Sequence, residues 1–146
     1  MNASESGPAD GFRVVAQDSA SQRPASPENF TGQVTRSDVL EGMRPSGLRG
    51  NVFAYEPGAR SNWHVHEGEQ ALIVTSGEGL VQWEGLDAPR RLRAGDWVHV
   101  VPDVPHWHGA TPDNEFVHLA VTATGGTSWL GPVAEDDYRR EPLPAE

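Results

Sequence analysis

Two pairs of histidines, each pair separated by a single residue, carry the strongest chemical signal in this sequence. His64 and His66 form the first pair, and His106 and His108 form the second. Side chains at positions i and i+2 of a β-strand point to the same face, so each pair would project its imidazoles together. Two imidazoles on an interior face need a shared partner, and a divalent metal that accepts a neutral nitrogen from each provides one. The spacing therefore predicts a metal site.

Gln70 follows His66 after a short turn, so the next strand can return its side chain to the same place. An amide oxygen is a modest ligand, and Glu67 or Glu69 is the alternative if the turn differs. A third imidazole, from His106, would leave open coordination positions, as in catalytic rather than structural metal sites. The predicted metal ligands are His64, His66, Gln70 and His106.

The spacing does not assign a single role to the other three histidines, His99, His108 and His118. His108 shares a face with His106, which allows either an acid–base role or a structural one. His118 lies in an apolar stretch, where spacing alone favours a core histidine bonded to the backbone over a catalytic base. His99 lies between two valines and has no predicted role. The five tryptophans are interpreted as core and subunit-interface residues rather than as a substrate platform.

Short apolar runs separated by Gly, Pro and Asp turns every 8–12 residues must position these side chains. The predicted strands are 48–55, 62–66, 70–75, 79–84, 90–93, 97–101, 106–109 and 116–123. No apolar period of 3.6 residues persists long enough to indicate a substantial helix. The pattern predicts an all-β fold, a small jelly-roll barrel of antiparallel strands.

The 146 residues suffice for one domain with flanking segments. We expect a flexible N-terminal arm over residues 1–28, with an optional edge strand at 12–17. The barrel domain is predicted for residues 29–134. Residues 135–146 would form a short C-terminal tail that begins with one helical turn.

Composition excludes several functional classes. The chain has no Cys, so disulfides and thiol nucleophiles are excluded, and all 11 of its basic residues other than His are Arg, which excludes a catalytic lysine. A net charge of −10 argues against a nucleic-acid partner. The sequence has neither an apolar run of membrane length nor the pattern of a signal peptide, so no membrane partner and a cytoplasmic location are expected.

Two motifs in this chain resemble those of the cupin superfamily. The first is Gly58-x5-His64-x-His66-x3-Gln70-x6-Gly77, and the second is Gly95-Asp96-x5-Pro102 followed by His106. The first has Gln where the common pattern has Glu. The second has one residue fewer between Pro and His, and no Gly in that loop. The resemblance implies a cupin-type jelly-roll barrel.

Between Phe30 and Tyr138 the chain is more closely similar to small bacterial cupins that act as manganese-dependent hydroxynitrile lyases. That resemblance implies three His and one Gln as metal ligands, at the four positions predicted above. It also implies an acid–base pair at His108 and His118, which reverses the interpretation of His118 from spacing. Thr122 and Asn51 depart from the residues of those lyases and place the substrate, rather than the metal site, in question.

The resemblance implies a lyase that uses one divalent transition metal per chain as Lewis acid. Manganese is expected, with iron, nickel and zinc as alternatives. His118 would act as base and His108 would protonate the leaving carbanion of a small-molecule substrate. The alternatives are an Fe(II)-dependent dioxygenase and a non-enzymatic binding cupin; Gln70 in place of Glu favours the lyase because it donates less negative charge. A homodimer or homotetramer is expected, since aromatic-rich strands need cover.

Overall fold

Alternating apolar runs and turns produce twelve strands within residues 12–145, the part of the chain that the computed structural model describes. The strands are β1 Gln22–Pro24, β2 Phe30–Thr31, β3 Val34–Leu40, β4 Arg49–Tyr55, β5 Arg60–Ser61, β6 His64–His66, β7 Gln70–Trp83, β8 Arg90–Arg93, β9 Trp97–Val100, β10 His106–Ala110, β11 Phe116–Thr122 and β12 Thr127–Trp129. One helix, α1, spans Glu135–Tyr138, and two 3-10 turns span Gln17–Ser19 and Pro27–Asn29. None of the helices in residues 12–145 has the length and apolar character needed to cross a membrane.

The strands form a curled antiparallel sheet with two layers. The first layer has the order β1-β3-β4-β11-β7-β9. In the second, β7 lies between β8 and β10, and β10 also pairs with β5 and with β6. The start of β7 belongs to the first layer and its end to the second. The prediction of a small all-β barrel is confirmed.

One long strand, β7, replaces the two strands predicted at 70–75 and 79–84. The expected turn is a bend at Gly77, where φ is 77°, a conformation that favours glycine. A Cβ atom there would lie 1.8 Å from the Glu115 carbonyl oxygen. The pairing with β11 also shifts register between Val117 and His118. The glycine therefore redirects the strand from one layer to the other without ending it.

The optional edge strand predicted at residues 12–17 is wrong, and the first strand of the described residues is β1. Residues 12–16 form no strand, and the 3-10 turn begins at Gln17. β1 pairs with β3, and Ala25 directly after it is buried, so part of the predicted arm is built into the barrel. Residues 1–11 of that arm lie outside the described residues.

The predicted C-terminal helical turn is present as α1, and it packs against the barrel. The Tyr138 hydroxyl donates a 2.6 Å hydrogen bond to the Ala110 carbonyl, and the Tyr138 ring packs on buried Trp107. The Arg60 guanidinium lies over the Tyr138 ring and binds Glu135 at 2.5 Å. These contacts fix the start of the predicted tail.

Three rows of side chains line the interior face of β4, β11 and β7. Directly paired residues of neighbouring strands share a face. The rows are Arg49–Thr122–Gln70, Asn51–Ala120–Leu72 and Phe53–His118–Val74. An apolar cluster that includes Tyr55, Val74 and Phe116 fills the barrel beyond the third row. Arg49, Thr122 and Gln70, in the first row, therefore lie at the end of the interior that is farthest from this cluster.

Candidate metal centre

Three histidines come together where β6 and β10 pair. His64 and His106 are direct cross-strand partners, and His66 lies on the same face of β6. One ring nitrogen from each of the three lies within 4.8 Å of the others, and all three residues are buried. The strand spacing that the sequence predicted therefore brings these three imidazoles to one point.

Hydrogen bonds determine which nitrogen of each ring faces that point. The Nδ1 contacts are His64 to the Asn62 carbonyl (2.8 Å), His106 to the Val104 carbonyl (3.0 Å) and His66 to Thr127 Oγ1 (2.9 Å). A carbonyl can only accept, so Nδ1 of His64 and of His106 carries the proton and donates it. In the neutral ring, Nε2 then keeps a free lone pair, which is the form that binds a metal.

Gln70 is buried and lies beside His66. Its Nε2 donates to Thr122 Oγ1 at 2.9 Å, which fixes the orientation of the amide. Glu67 and Glu69 are exposed, and Glu69 binds exposed His99 at 2.6 Å, so neither carboxylate replaces Gln70 inside the barrel.

Buried polar atoms without partners show that this donor set fits a metal. Within residues 12–145 these atoms include His66 Nε2, His106 Nε2 and Gln70 Oε1. An unsatisfied buried polar group destabilises the folded protein by about 1–3 kcal/mol. A ligand that bonds to these three atoms together would remove that cost. Imidazole nitrogens with an amide oxygen suit a divalent transition metal.

Burial keeps the three imidazoles neutral. It lowers the pKa of His64 well below its ordinary value, and the nearby His106 adds to this effect. Burial, His106 and Arg49 lower the pKa of His66 to about 4, although Gln70 beside it acts in the opposite direction. Burial also lowers the pKa of His106. Protons therefore compete weakly with a metal at neutral pH.

A second hydrogen-bonded group, His108–Tyr55–His118, lies beside this cluster. The Tyr55 hydroxyl is 2.8 Å from His108 Nδ1 and 3.1 Å from His118 Nε2. His118 Nδ1 donates to the Leu119 carbonyl at 3.2 Å, so its Nε2 must accept from Tyr55. The Tyr55 oxygen can then accept from His108 Nδ1–H, which leaves the lone pair on His108 Nε2. The His108 ring lies 5.2 Å from the His64 ring.

Burial favours the neutral form of every member of this group. It lowers the pKa of His108 well below its ordinary value, with the neighbouring His118 as the next cause. It lowers the pKa of His118 to about 4 and raises that of the Tyr55 hydroxyl. His118 has no exposed surface and both its nitrogens are bonded, whereas no hydrogen bond within residues 12–145 engages His108 Nε2.

Several residues of the site escaped the sequence interpretation. Trp129, expected in the core or an interface, packs on His64 at 4.8 Å between ring centroids. Phe53 stacks on His118 at 5.5 Å. Tyr55 was missed as well, although alternation along a β4 strand could have placed it on the interior face. A groove of about 670 Å³ between β8 and β9 reaches the cluster at His106.

Comparison with known proteins gives one family and one closely similar enzyme. Residues 51–122 match the model of the cupin domain family. The chain is 38% identical over 114 residues to the (R)-mandelonitrile lyase of Granulicella tundricola, across 76% of this chain and 86% of that enzyme. The family match therefore spans all four predicted ligand positions.

Solved structures agree with this result. A cupin-like protein from Thermotoga maritima is 40% identical, with a TM-score of 0.76 over 82% of this chain and 92% of its own. A polyketide cyclase from Streptomyces resistomycificus has a TM-score of 0.72 over 87% of this chain and 90% of its own, at 15% identity. The second likeness concerns the fold alone.

Proposed function

This chain belongs to the cupin family, and from that premise we propose that it is a metal-dependent lyase acting on a carbon–carbon bond next to a hydroxyl or carbonyl group. One observation carries the proposal. A neutral histidine with a free nitrogen, His108, stands beside three histidines positioned to bind a metal. The similarity to a mandelonitrile lyase supports the same reaction class.

The metal would be held by His64, His66, His106 and Gln70. We propose manganese, with iron, nickel and zinc as alternatives that the same donors accept. When bound, the metal would supply Lewis acidity towards a substrate oxygen. Thr122 contributes by holding the Gln70 amide in place.

His108 is the proposed general base, and His118 supports it. This exchanges the roles that the resemblance implied, because both nitrogens of His118 are engaged and only His108 retains a free one. His108 Nε2 would accept the proton of a substrate hydroxyl. Its Nδ1–H donates to Tyr55, and Tyr55 donates to His118, so the positive charge that develops on His108 is spread along a hydrogen-bonded chain.

For a cyanohydrin, the reaction balances without any co-reactant. The hydroxyl loses its proton to His108, the carbonyl forms, and the bond to the nitrile carbon breaks with its electron pair on that carbon. His108 then returns the proton to cyanide, and the products are an aldehyde and hydrogen cyanide. No oxidant is needed.

The test is mandelonitrile cleavage by manganese-loaded protein, followed through benzaldehyde and cyanide release. His108→Gln should lower kcat by about 100-fold or more because general-base catalysis is lost, with metal content unchanged. His99→Gln, on the exposed outer face, is the matched control and should retain the wild-type rate. A wild-type protein that binds manganese but releases neither product would overturn the proposal.

Two further readouts separate the alternatives. Stoichiometric oxygen uptake by iron-loaded protein, without lyase activity, would indicate a dioxygenase. A protein that cannot be loaded with any of the four metals would indicate a binding cupin.

A further inference from the structure

A half-buried arginine lies on the interior wall across from the histidines. Arg49, the first residue of β4, pairs directly with Thr122, and Thr122 pairs directly with Gln70. Gln70 and Thr122 are buried and bonded to each other, and cross-strand partners share a face. Arg49 therefore belongs to the interior face, two strand spacings or about 10 Å from Gln70.

Arg49 differs from Arg36 and Arg60 in having no acidic partner among the described residues. Arg36 binds Asp38 at 2.7 Å, and Arg60 binds Glu135 at 2.5 Å. No ion pair or hydrogen bond in the described range 12–145 engages the Arg49 guanidinium.

A guanidinium partly withdrawn from water without a counter-charge is an unfavourable arrangement that a ligand can relieve. Its planar donors match a carboxylate, which accepts two parallel N–H···O bonds. A neutral substrate would leave this charge unpaired. The protein has a net charge of −10, so a guanidinium without an acidic partner on the interior face would favour an anionic ligand over a neutral one.

We propose that Arg49 binds a carboxylate of the substrate, so that the natural substrate is an organic acid that also carries the reacting hydroxyl or carbonyl group. The inference rests on the proposed function in one respect: it takes the interior between the histidines and β4 as the substrate pocket. It narrows the substrate from any hydroxy or oxo compound to an anionic one.

The experiment compares mandelate with mandelamide, which have the same phenyl and hydroxyl groups and differ in charge. Binding of each to manganese-loaded protein is measured by calorimetry for wild type, Arg49→Gln and Arg49→Lys. Arg49→Gln should weaken mandelate binding by about tenfold or more and mandelamide binding by less than about threefold, since only the first loses an ion pair. Arg49→Lys should recover part of the mandelate affinity.

Arg44→Gln is the matched control, because Arg44 is exposed in the loop before β4. It should change neither affinity, and all variants should keep their manganese content. Equal losses for both ligands in Arg49→Gln, no loss for either, or no mandelate binding by wild type would overturn the inference.

The outcome is separable from that of the proposed function. Mandelonitrile cleavage without charge-selective binding refutes the carboxylate site and leaves the lyase. Charge-selective binding without cleavage refutes the lyase and leaves the carboxylate site.

Discussion

For single residues, the chemistry of the site depends on which nitrogen of each imidazole carries a proton. Backbone carbonyls fix this for His64 and His106, and the Leu119 carbonyl fixes it for His118. The tautomer of His118 also sets that of His108, because the Tyr55 hydroxyl donates to His118 and can then accept from His108. These bonds leave a lone pair on Nε2 of His64, His106 and His108.

Tyr55→Phe should lower kcat for mandelonitrile cleavage by about 10–100-fold, because His108 loses the acceptor that fixes its tautomer. Manganese content should stay at the wild-type level. The pH profile of kcat should also shift, since the charged form of His108 loses a partner. Tyr138→Phe, which removes a hydroxyl bonded to the Ala110 carbonyl, is the control and should keep the wild-type profile. An unchanged kcat in Tyr55→Phe would show that His108 acts without this support.

His66→Ala should reduce bound manganese by about tenfold or more at limiting metal, because one of three imidazole ligands is lost. Metal content after gel filtration is the measurement. His99→Ala should retain the wild-type content because its partner is exposed Glu69, outside the cluster. Equal manganese in both variants would place the metal elsewhere.

The sequence was sufficient to predict these residues only where a local pattern reports them. His64, His66 and His106 are visible because strand alternation aligns them, and the structure brings all three together. Arg49 and Tyr55 were not visible, since their positions depend on which strands lie side by side. The roles proposed for the three histidines and Gln70 as metal ligands, for Tyr55 in catalysis and for Arg49 in substrate binding stay predictions.

Among the elements, β7 has the largest influence on the site. Its first residue, Gln70, lies in one layer, and its last, Trp83, pairs with His106 in the other. The bend at Gly77 therefore allows one strand to carry Gln70 in the first layer and to pair with His106 in the second.

Gly77→Ala should destabilise the protein by about 3 kcal/mol or more, because its Cβ would overlap the Glu115 carbonyl in addition to adopting a positive φ. Gly58→Ala, also at positive φ but with no atom within 4 Å of the added carbon, should cost about 1 kcal/mol. Urea denaturation measures both. Similar losses in the two variants would mean that the bend tolerates a side chain.

Strand prediction succeeded where apolar alternation is strong and failed where pairing alone makes a strand. The ranges predicted at 48–55, 90–93 and 116–123 match β4, β8 and β11 to within a residue. β3 was missed because its polar residues hide the alternation, and β5 and β12 are too short to leave a pattern. The bend in β7 resembled a turn because Gly signals either.

In the molecule as a whole, neutral buried histidines link stability to pH. The pKa of His118 is lowered by burial from its ordinary 6.5 to about 4, so the unfolded chain binds a proton that the folded chain refuses between these values. The contribution of His118 to the free energy of unfolding should therefore be greatest above pH 6.5 and should decrease as the pH falls towards 4. At about 1.4 kcal/mol per pH unit, the titration of His118 alone should lower the free energy of unfolding by about 3 kcal/mol over this range.

Urea denaturation of metal-free protein between pH 7 and pH 4 checks this dependence. His118→Gln should flatten the curve, because a neutral amide replaces the group that titrates in the unfolded chain. A wild-type stability that rises on acidification would contradict the assignment of neutral buried histidines.

The expected homodimer or homotetramer stays a prediction, which light scattering would check. The cytoplasmic location also stays a prediction.

The passage of β7 through both layers has a consequence for motion. Gln70 belongs to the layer of β4 and β11, whereas the three histidines belong to the layer of β6 and β10. If Gln70 and the histidines hold an ion together, as proposed, the ion would link the two layers, and we expect the layers to separate at this end only when the ion leaves. Amide hydrogen exchange along β6 and the start of β7 should then slow together on loading, while the far apolar end exchanges as before.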